Sequence, residues 1–353
     1  MSGGSRQPRI GLVLGAGGVL GGAWTAGALN ALAAETGWDP ASADYIVGTS
    51  AGSVIASLVA GGVTASGMLP DAPEELFSEL IAPSGGLLLM ANTAGRWLRG
   101  LPTPLPGSWR LSLSGLRTPR PEMVLRVFSG LVPQGCFSTD PIKAVVRKAA
   151  ATGWVRHPNC WIVACDYVTG RRVTFGRAGA PKAEIASAAA ASCAIPGFYC
   201  PERIDGRLYV DGGLHSMSNL DLVDGLGLDL VLCINPMSSR AVVRSWDPMA
   251  KFAALTRRVG ADKVDHEARQ LRAGGTRVAL IEPVAEDLQV IGHNLMNAQR
   301  RNEVLEVALR TVRQQLRSTA LRGAVATLKL EAQRQAEPAE MRAADQAQLR
   351  RSA

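Results

Sequence analysis

Histidines, paired cysteines and aromatic residues are scarce in this chain of 353 residues, and each shortage narrows the classes of protein to which it can belong. There are four histidines and six cysteines, and no two cysteines have the Cys-x-x-Cys spacing that, with histidines, indicates a zinc site. We therefore expect reduced, buried thiols in a cytosolic protein. Aromatic residues make up 5% of the chain and glycines number 38, which is typical of a globule of closely packed helices and strands.

The chain also lacks a long apolar run free of glycine. Residues 10–34 carry no charge and follow Arg6 and Arg9, as in a signal peptide. Seven glycines lie between residues 11 and 27, however, and they weaken both a helical leader and a membrane span. A cytoplasmic location is therefore favoured over export, and peripheral contact with a membrane stays open.

Positive charge exceeds negative charge, and the formal net charge is +8. The excess of Lys and Arg is marked toward the C-terminal end. A basic surface of this kind meets anionic lipid or nucleic acid, or is simply solvated. We expect no nucleic-acid partner, and the oligomeric state stays open.

The hydrophobic share of 47% predicts a large core, in one α/β domain or in one domain with an appendage. Runs typical of strands occur at 9–14, 44–49, 160–166, 171–175, 228–234 and 276–281, with a hairpin at 204–210. Helical patterns occur between and after them, among others at 122–131, 139–151, 183–193, 247–273 and 290–321. This alternation predicts the α/β class.

Changes in composition suggest the domain limits. Residues 1–8 are predicted to be a flexible N-terminus, and 9–321 to form the main domain. Within it, the Pro-, Gly- and Leu-rich stretch 61–121 is interpreted as an irregular insertion with short helices such as 73–80. Its tryptophans and basic residues suit a lid or a lipid-contacting surface, or packing against its own domain. The basic, Ala-, Arg- and Gln-rich tail 322–353 is predicted to be disordered.

The segment Gly-Thr-Ser-Ala-Gly at 48–52 has the Gly-x-Ser-x-Gly pattern of a nucleophile elbow, between a β-branched run and a small-residue helix. Glycines two residues before and after Ser50 let strand and helix pass close together, so that the sharp turn pushes the hydroxyl outward. The helix N-terminus beside it favours developing negative charge. By itself, such a segment is equally compatible with an ordinary loop that opens a helix.

A second glycine-rich turn, at 15–22, follows the first strand. It does not fit a nucleotide-binding pattern, because the third glycine of Gly-x-Gly-x-x-Gly would fall on Leu20 and no Gly-Lys-Ser/Thr follows. We interpret it as a nest of backbone N–H groups, from Gly17 and Gly18, that faces an oxyanion. Glycine is needed there because a side chain would block the approach of a substrate.

Asp211 is the best candidate for a base, because it ends a strand and is followed by two glycines. A triad in the order Ser, Asp, His would need His215, His266 or His293, none of which has an obvious setting for that role. A dyad in which Asp211 takes the proton from Ser50 requires a partly desolvated carboxylate whose pKa approaches the working pH. The residues alone leave both mechanisms open.

Together these stretches resemble the patatin-like phospholipase family. The similar parts are the glycine-rich loop at 15–21, the Gly-Thr-Ser-Ala-Gly segment, Ala-Ser-Cys-Ala-Ile-Pro at 191–196 and Asp-Gly-Gly at 211–213, and they fall within residues 9–235. The resemblance implies a three-layer α/β/α fold with a Ser/Asp dyad that cleaves acyl esters of lipids without a metal or nucleotide cofactor. It also implies the roles of individual residues: Ser50 as nucleophile, Asp211 as base, and Gly15, Gly17 and Gly18 in the oxyanion loop.

One position departs from the family pattern. Leu20 stands where the family usually carries Arg or Lys before the last glycine of the loop. This implies weaker support of the loop or weaker contact with a phosphate headgroup, and it bears on phospholipid preference more than on ester hydrolysis. Two other interpretations remain: an α/β-hydrolase with a Ser/Asp/His triad, and a catalytically silent, membrane-associated scaffold.

Overall fold

The fold is built on one mixed β-sheet, which the computed structural model describes together with its helices over residues 6–69, 107–115, 129–241 and 246–351. The described strands are β1 (Ile10–Leu14), β2 (Tyr45–Thr49), β3 (Cys160–Asp166), β4 (Arg172–Phe175), β5 (Glu202–Ile204), β6 (Arg207–Asp211), β7 (Leu230–Ile234) and β8 (Arg277–Ile281). Their order is β5-β6-β3-β2-β1-β7-β8, and β4 also pairs with β3. Strands β3, β2, β1, β7 and β8 are parallel, while β4 and β6 are antiparallel to β3.

Helices cover both faces of this sheet. They are α1 (Gly18–Thr36), α2 (Ala51–Ala60), α3 (Trp109–Gly115), α4 (Asp140–Ala149), α5 (Ile185–Ser192), α6 (Pro248–Ala273), α7 (Ala285–Ile291), α8 (Arg301–Leu316) and α9 (Arg322–Arg351). Alternate side chains of β1 enter different cores: Leu12 and Leu14 pack with α1, α2, α5 and α8, whereas Val13 packs with α6. The central strands are apolar throughout because both faces are covered. The predicted three-layer α/β/α arrangement is confirmed.

The strands lie where the sequence predicts them, each to within two residues at either end. The hairpin between β5 and β6 turns at Asp205 and Gly206, whose φ values of 47° and 76° are those of a tight two-residue turn. The uncharged run at 10–34 forms β1 and most of α1, although it resembles a signal peptide in sequence. Its Trp24 is fully buried. Within the described ranges, no helix has the length and apolar character needed to span a membrane.

The single helix predicted at 290–321 is wrong. Helix α7 ends at Ile291, and α8 begins only at Arg301. Gly292 stops α7 because its φ of 65° is left-handed. The side chain of Asn297 then accepts a hydrogen bond from the N–H of Gln299, at 3.2 Å, and starts a short 3₁₀ turn before α8.

The disordered tail predicted from residue 322 is also wrong over the part whose side chains are described. Helix α9 contacts α1, and its Leu328 is fully buried. Glu331 is buried as well and accepts a hydrogen bond from Gln7, at 2.7 Å. The composition argument failed because Ala, Arg, Gln and Glu are strong helix formers, and a few well-spaced apolar residues suffice to dock such a helix.

Several predictions fall wholly or partly outside the described residues. Most of the insertion predicted at 61–121 does, including its short helix at 73–80, and so does most of the helix predicted at 122–131. Residues 1–5 of the predicted flexible N-terminus lie outside as well, while Arg6 forms an ion pair with Asp229, at 3.2 Å.

Candidate active site

Two strands share one edge of β3, and this brings Ser50 and Asp211 together. Strand β2 is parallel to β3 and pairs with its first half, so that Thr49 lies opposite Val163. Strand β6 is antiparallel and pairs with the second half, so that Asp211 lies opposite Ala164. Because β4 occupies the other edge of β3, strands β2 and β6 approach from the same side and end at the same point. Ser50 is the first residue after β2.

Ser50 turns the chain sharply from β2 into α2. Its φ of 53° and ψ of −125° lie in a region that residues with a side chain rarely adopt. Two glycines permit the turn: a Cβ atom on Gly48 would lie 2.6 Å from Cα of Ser53, and one on Gly52 would lie 2.2 Å from the carbonyl oxygen of Leu14. The structure therefore has the close passage of strand and helix that the Gly-x-Ser-x-Gly pattern predicts.

The hydroxyl of Ser192 holds this turn in place. The N–H of Ile46 donates to the carbonyl of Asn159, and the same parallel ladder, continued by steps of two residues, would pair the N–H of Ser50 with the carbonyl of Val163. Instead the Ser192 hydroxyl stands between them. It accepts from the N–H of Ser50, at 2.8 Å, and donates to the carbonyl of Val163, at 2.6 Å. One side chain thus replaces a ladder bond where the chain leaves the sheet.

The Asp211 carboxylate is buried beside the Ser50 hydroxyl. Its Oδ1 accepts a hydrogen bond from the N–H of Gly213, at 2.7 Å. Burial raises the pKa of Asp211 to about 6, and the Gly213 N–H and the nearby Ser50 side chain act in the opposite direction. This carboxyl group therefore exchanges its proton close to neutral pH, as direct proton abstraction from a serine requires.

The glycine-rich loop joins β1 to α1 at the same end of the sheet. The N–H of Gly15 donates to the carbonyl of Ile234, at 2.9 Å, so this group is occupied. Gly18 has a left-handed φ of 60°. Within the described part of the chain, no acceptor is bonded to the N–H groups of Gly17 and Gly18. Gly15 thus fixes the loop to the sheet, and the role of Gly17 and Gly18 at an oxyanion stays a prediction.

The loop contacts the segments that carry Ser50 and Asp211. A Cβ atom on Gly52 would lie 2.6 Å from the carbonyl oxygen of Gly15, and one on Gly213 would lie 3.8 Å from Cβ of Ala16. The structure thus brings the predicted site residues Ser50, Asp211, Gly15, Gly17 and Gly18 to one edge of the sheet.

Leu20 does not face this edge. Its side chain is fully buried in the core between the sheet and the helices, and its N–H donates to the carbonyl of Leu295, at 3.0 Å. A residue in this position supports the loop by packing, and its side chain makes no contact with a headgroup.

The histidines considered for a triad have other surroundings. Nδ1 of His293 is 3.3 Å from the Asp247 carboxylate, and His266 is exposed on α6. His215 follows the base candidate in the chain, and the raised pKa of Asp211 comes from burial, opposed by the Gly213 N–H and the Ser50 side chain.

Sequence reasoning missed two supporting residues. Ser192 lies within the Ala-Ser-Cys-Ala-Ile-Pro segment, which gave a resemblance but no role. Asn219, with a left-handed φ of 53°, donates to the side-chain oxygen of Thr49, at 3.1 Å, and accepts from Arg172, at 3.1 Å. Arg172 in turn forms two hydrogen bonds of 2.7 Å with Asp221. The one sequence signal for this hydrogen-bond network was the run of polar residues that follows Asp211.

The cysteines form no disulfide, and two of them depart from expectation. Cys136 and Cys200 are exposed, whereas buried thiols were predicted for all six. They lie next to Phe137 and Tyr199, which form an isolated β-bridge with each other. Among the residues that the structure describes, no group of three or more His, Cys, Asp or Glu side chains is arranged to hold a metal ion.

Comparison with known proteins agrees with the fold and with the motifs. The sequence model of the patatin-like phospholipase family matches residues 12–224. Uncharacterized NTE family proteins of Mycobacterium bovis and Mycobacterium tuberculosis are 29% identical to this chain over 238 residues, which is 67% of this chain and 52% of theirs. The chain therefore spans about half the length of the curated relatives it matches.

Proposed function

Because the chain belongs to the patatin-like phospholipase family, we propose that it is a serine acyl hydrolase that cleaves carboxylic esters of lipids. Ser50 is the nucleophile and Asp211 the general base. The observation that carries this proposal is the buried Asp211 carboxylate, which lies beside Ser50 and has a pKa raised to about 6 by burial.

The first half of the reaction forms an acyl-enzyme. Oγ of Ser50 attacks the ester carbonyl carbon, and its proton passes to Asp211. The carbonyl oxygen becomes an oxyanion, which the N–H groups of Gly17 and Gly18 stabilise. When the tetrahedral intermediate collapses, the C–O bond to the alcohol breaks, and the alcohol leaves with the proton from Asp211.

The second half releases the acid. A water molecule gives its proton to Asp211 and attacks the acyl carbon, and Oγ of Ser50 leaves and recovers that proton. The proposed substrate class is an acyl ester of a lipid. The proposal covers neutral esters as well as phospholipids.

Labelling with a fluorophosphonate, which reacts with activated serines, tests the proposal. The parent protein is expected to be labelled, Ser50→Ala not at all, and Asp211→Asn about a thousandfold more slowly. His293→Ala is the matched test of the triad and is expected to label like the parent, because His293 lies against Asp247.

Two outcomes would contradict the proposal. Loss of labelling in His293→Ala, with Asp211→Asn still reactive, would favour the α/β-hydrolase triad. A folded parent that is not labelled, and hydrolyses neither short-chain nor long-chain esters, would favour the catalytically silent scaffold.

A further inference from the structure

Exposed apolar side chains are concentrated at one end of the sheet. In the described part of the chain, nine large apolar side chains are exposed, and Leu330 on α9 is the exception among them. The other eight lie on segments at the carboxyl ends of β3, β7 and β8 or next to those segments. Ser50 follows the carboxyl end of β2 at the same edge. The apolar surface and the candidate active site therefore share one end of the molecule.

One group of these side chains lies beside the end of β3. Helix α3 exposes Trp109 and Leu113, and it is tied to that end because the hydroxyl of Ser108 donates to the carbonyl of Tyr167, at 2.9 Å. The guanidinium carbon of Arg110 lies 5.4 Å from the centre of the Trp109 ring. This group thus combines an exposed indole with a cation.

A second group lies on the first turns of α6. This helix leads from the carboxyl end of β7 down to the start of β8, and Gly260 lies against Met237, just beyond the end of β7. Residues 248–259 of the helix therefore come before the point at which it meets the end of β7. Trp246, just before the helix, is 95% exposed.

The first turns of α6 repeat the pattern of the first group. Nζ of Lys251 lies 5.7 Å from the centre of the Trp246 ring. Leu255 is also exposed, as is Val259 one turn further along. Each of the two exposed tryptophans at this end therefore carries a basic side chain over its ring.

The opposite edge of the sheet is different in character. There Arg6 pairs with Asp229 at 3.2 Å, and Arg9 pairs with Asp44 at 3.5 Å, at the amino ends of β1 and β7. Exposed ion pairs of this kind are typical of a surface that faces water. Among the described residues, both exposed tryptophans lie at the end of the sheet that holds Ser50.

We propose that the apolar end docks on the surface of a lipid bilayer that contains anionic lipid. Tryptophan prefers the headgroup level of a bilayer, and basic residues beside it are attracted by anionic headgroups. A net charge of +8 adds to this attraction. Docking places Ser50, which is only 3% exposed, next to the membrane. A lipid ester then enters the site without crossing bulk water; the choice of a bilayer as partner rests on the proposed acyl hydrolase function.

Vesicle sedimentation tests the docking separately from catalysis. All proteins carry Ser50→Ala, so that hydrolysis does not alter the vesicles. They are mixed with phosphatidylcholine vesicles, or with vesicles of equal parts phosphatidylcholine and phosphatidylglycerol. We expect binding to the mixed vesicles that weakens with salt, and a loss of about tenfold in each of Trp109→Ser and Trp246→Ser. Leu330→Ser is the matched control, since it removes an exposed apolar side chain elsewhere and should bind like its parent.

Three outcomes would overturn the docking surface. They are no binding to mixed vesicles, equal binding by the tryptophan variants, or a dimer that these variants dissociate, which would assign the surface to a second copy.

Hydrolysis of a water-soluble short-chain ester, measured with Ser50 intact, distinguishes the docking proposal from the acyl hydrolase proposal. The tryptophan variants should retain this activity and lose activity on vesicles. Absence of short-chain hydrolysis in the parent would count against the acyl hydrolase function, whatever the vesicles show.

Discussion

The backbone N–H of Ser50 is hydrogen-bonded to the side-chain hydroxyl of Ser192, which lies 142 residues away in the chain and 2.8 Å away in space. That hydroxyl also donates to Val163, so it satisfies two buried backbone groups at the point where β2 leaves the sheet. A strained turn persists only where its surroundings hold it. Ser192 is therefore a positioning residue for Ser50, the proposed nucleophile.

Replacing Ser192 by alanine should affect both stability and reactivity. Ser192→Ala leaves the N–H of Ser50 and the carbonyl of Val163 without a partner, at a cost of about 2 kcal/mol in the free energy of unfolding. Fluorophosphonate labelling should slow because the turn relaxes. Ser57→Ala is the control, since the Ser57 hydroxyl bonds only to its own helix, at Ser53. Denaturant unfolding and labelling rates that are equal in the two variants would contradict this role.

The raised pKa of Asp211 predicts the pH dependence of the reaction. If the carboxylate is the base, kcat/KM should rise with pH through about 6 and level off above it, because the protonated acid cannot accept the serine proton. A profile measured on a soluble ester between pH 4 and pH 9 checks this. A rate that is flat across the whole range would exclude Asp211 as the titrating base.

The same pKa predicts that Asp211 destabilises the fold at neutral pH. Its folded pKa of about 6 lies above the ordinary value of 3.8, so the folded state binds more protons between these values and loses stability as pH rises through them. The full shift corresponds to about 3 kcal/mol. Asp211→Asn should therefore be more stable than the parent at pH 8, by up to that amount, and the gain should shrink toward pH 4. Denaturant unfolding at both pH values measures it, and a gain that does not depend on pH would contradict the assignment.

Gly52 should tolerate no side chain. A Cβ atom there would lie 2.2 Å from the carbonyl oxygen of Leu14, which is backbone of the central strand and cannot move aside. Gly52→Ala should cost about 3 kcal/mol or more and abolish labelling. Gly323→Ala, in α9, has open space around it and should be neutral or stabilising. Thermal unfolding distinguishes the two, and an intact Gly52→Ala protein would contradict the close packing of the elbow.

The sequence predicted those parts of the fold that depend on local pattern. Apolar runs located the strands, and glycines at fixed distances from Ser50 located the elbow, because sterics alone require them. The break at Gly292 was missed because a helical apolar pattern continues across it. The docking of α9 was missed because composition says little about a helix held by a few residues such as Leu328.

The candidate site was predicted residue by residue, but not how it is supported. Asp211 stood out because it ends a strand before two glycines. Ser192 and Asn219 could not be recognised, since their partners lie far away in the chain and depend on the register of β3. Position in the sequence carries no information about such bonds until the sheet is known.

The shared edge of β3 also makes Ser50, the proposed nucleophile, a reporter of correct strand pairing. A slip of β6 by one residue would turn Asp211 to the opposite face of the sheet and leave Ser50 without a neighbouring carboxylate. Because the two residues lie far apart in the chain, this pairing has a high contact order and is expected to form slowly. The yield of fluorophosphonate labelling during refolding should therefore count the molecules whose sheet has reached its native register, which spectroscopic measures of helix content do not distinguish.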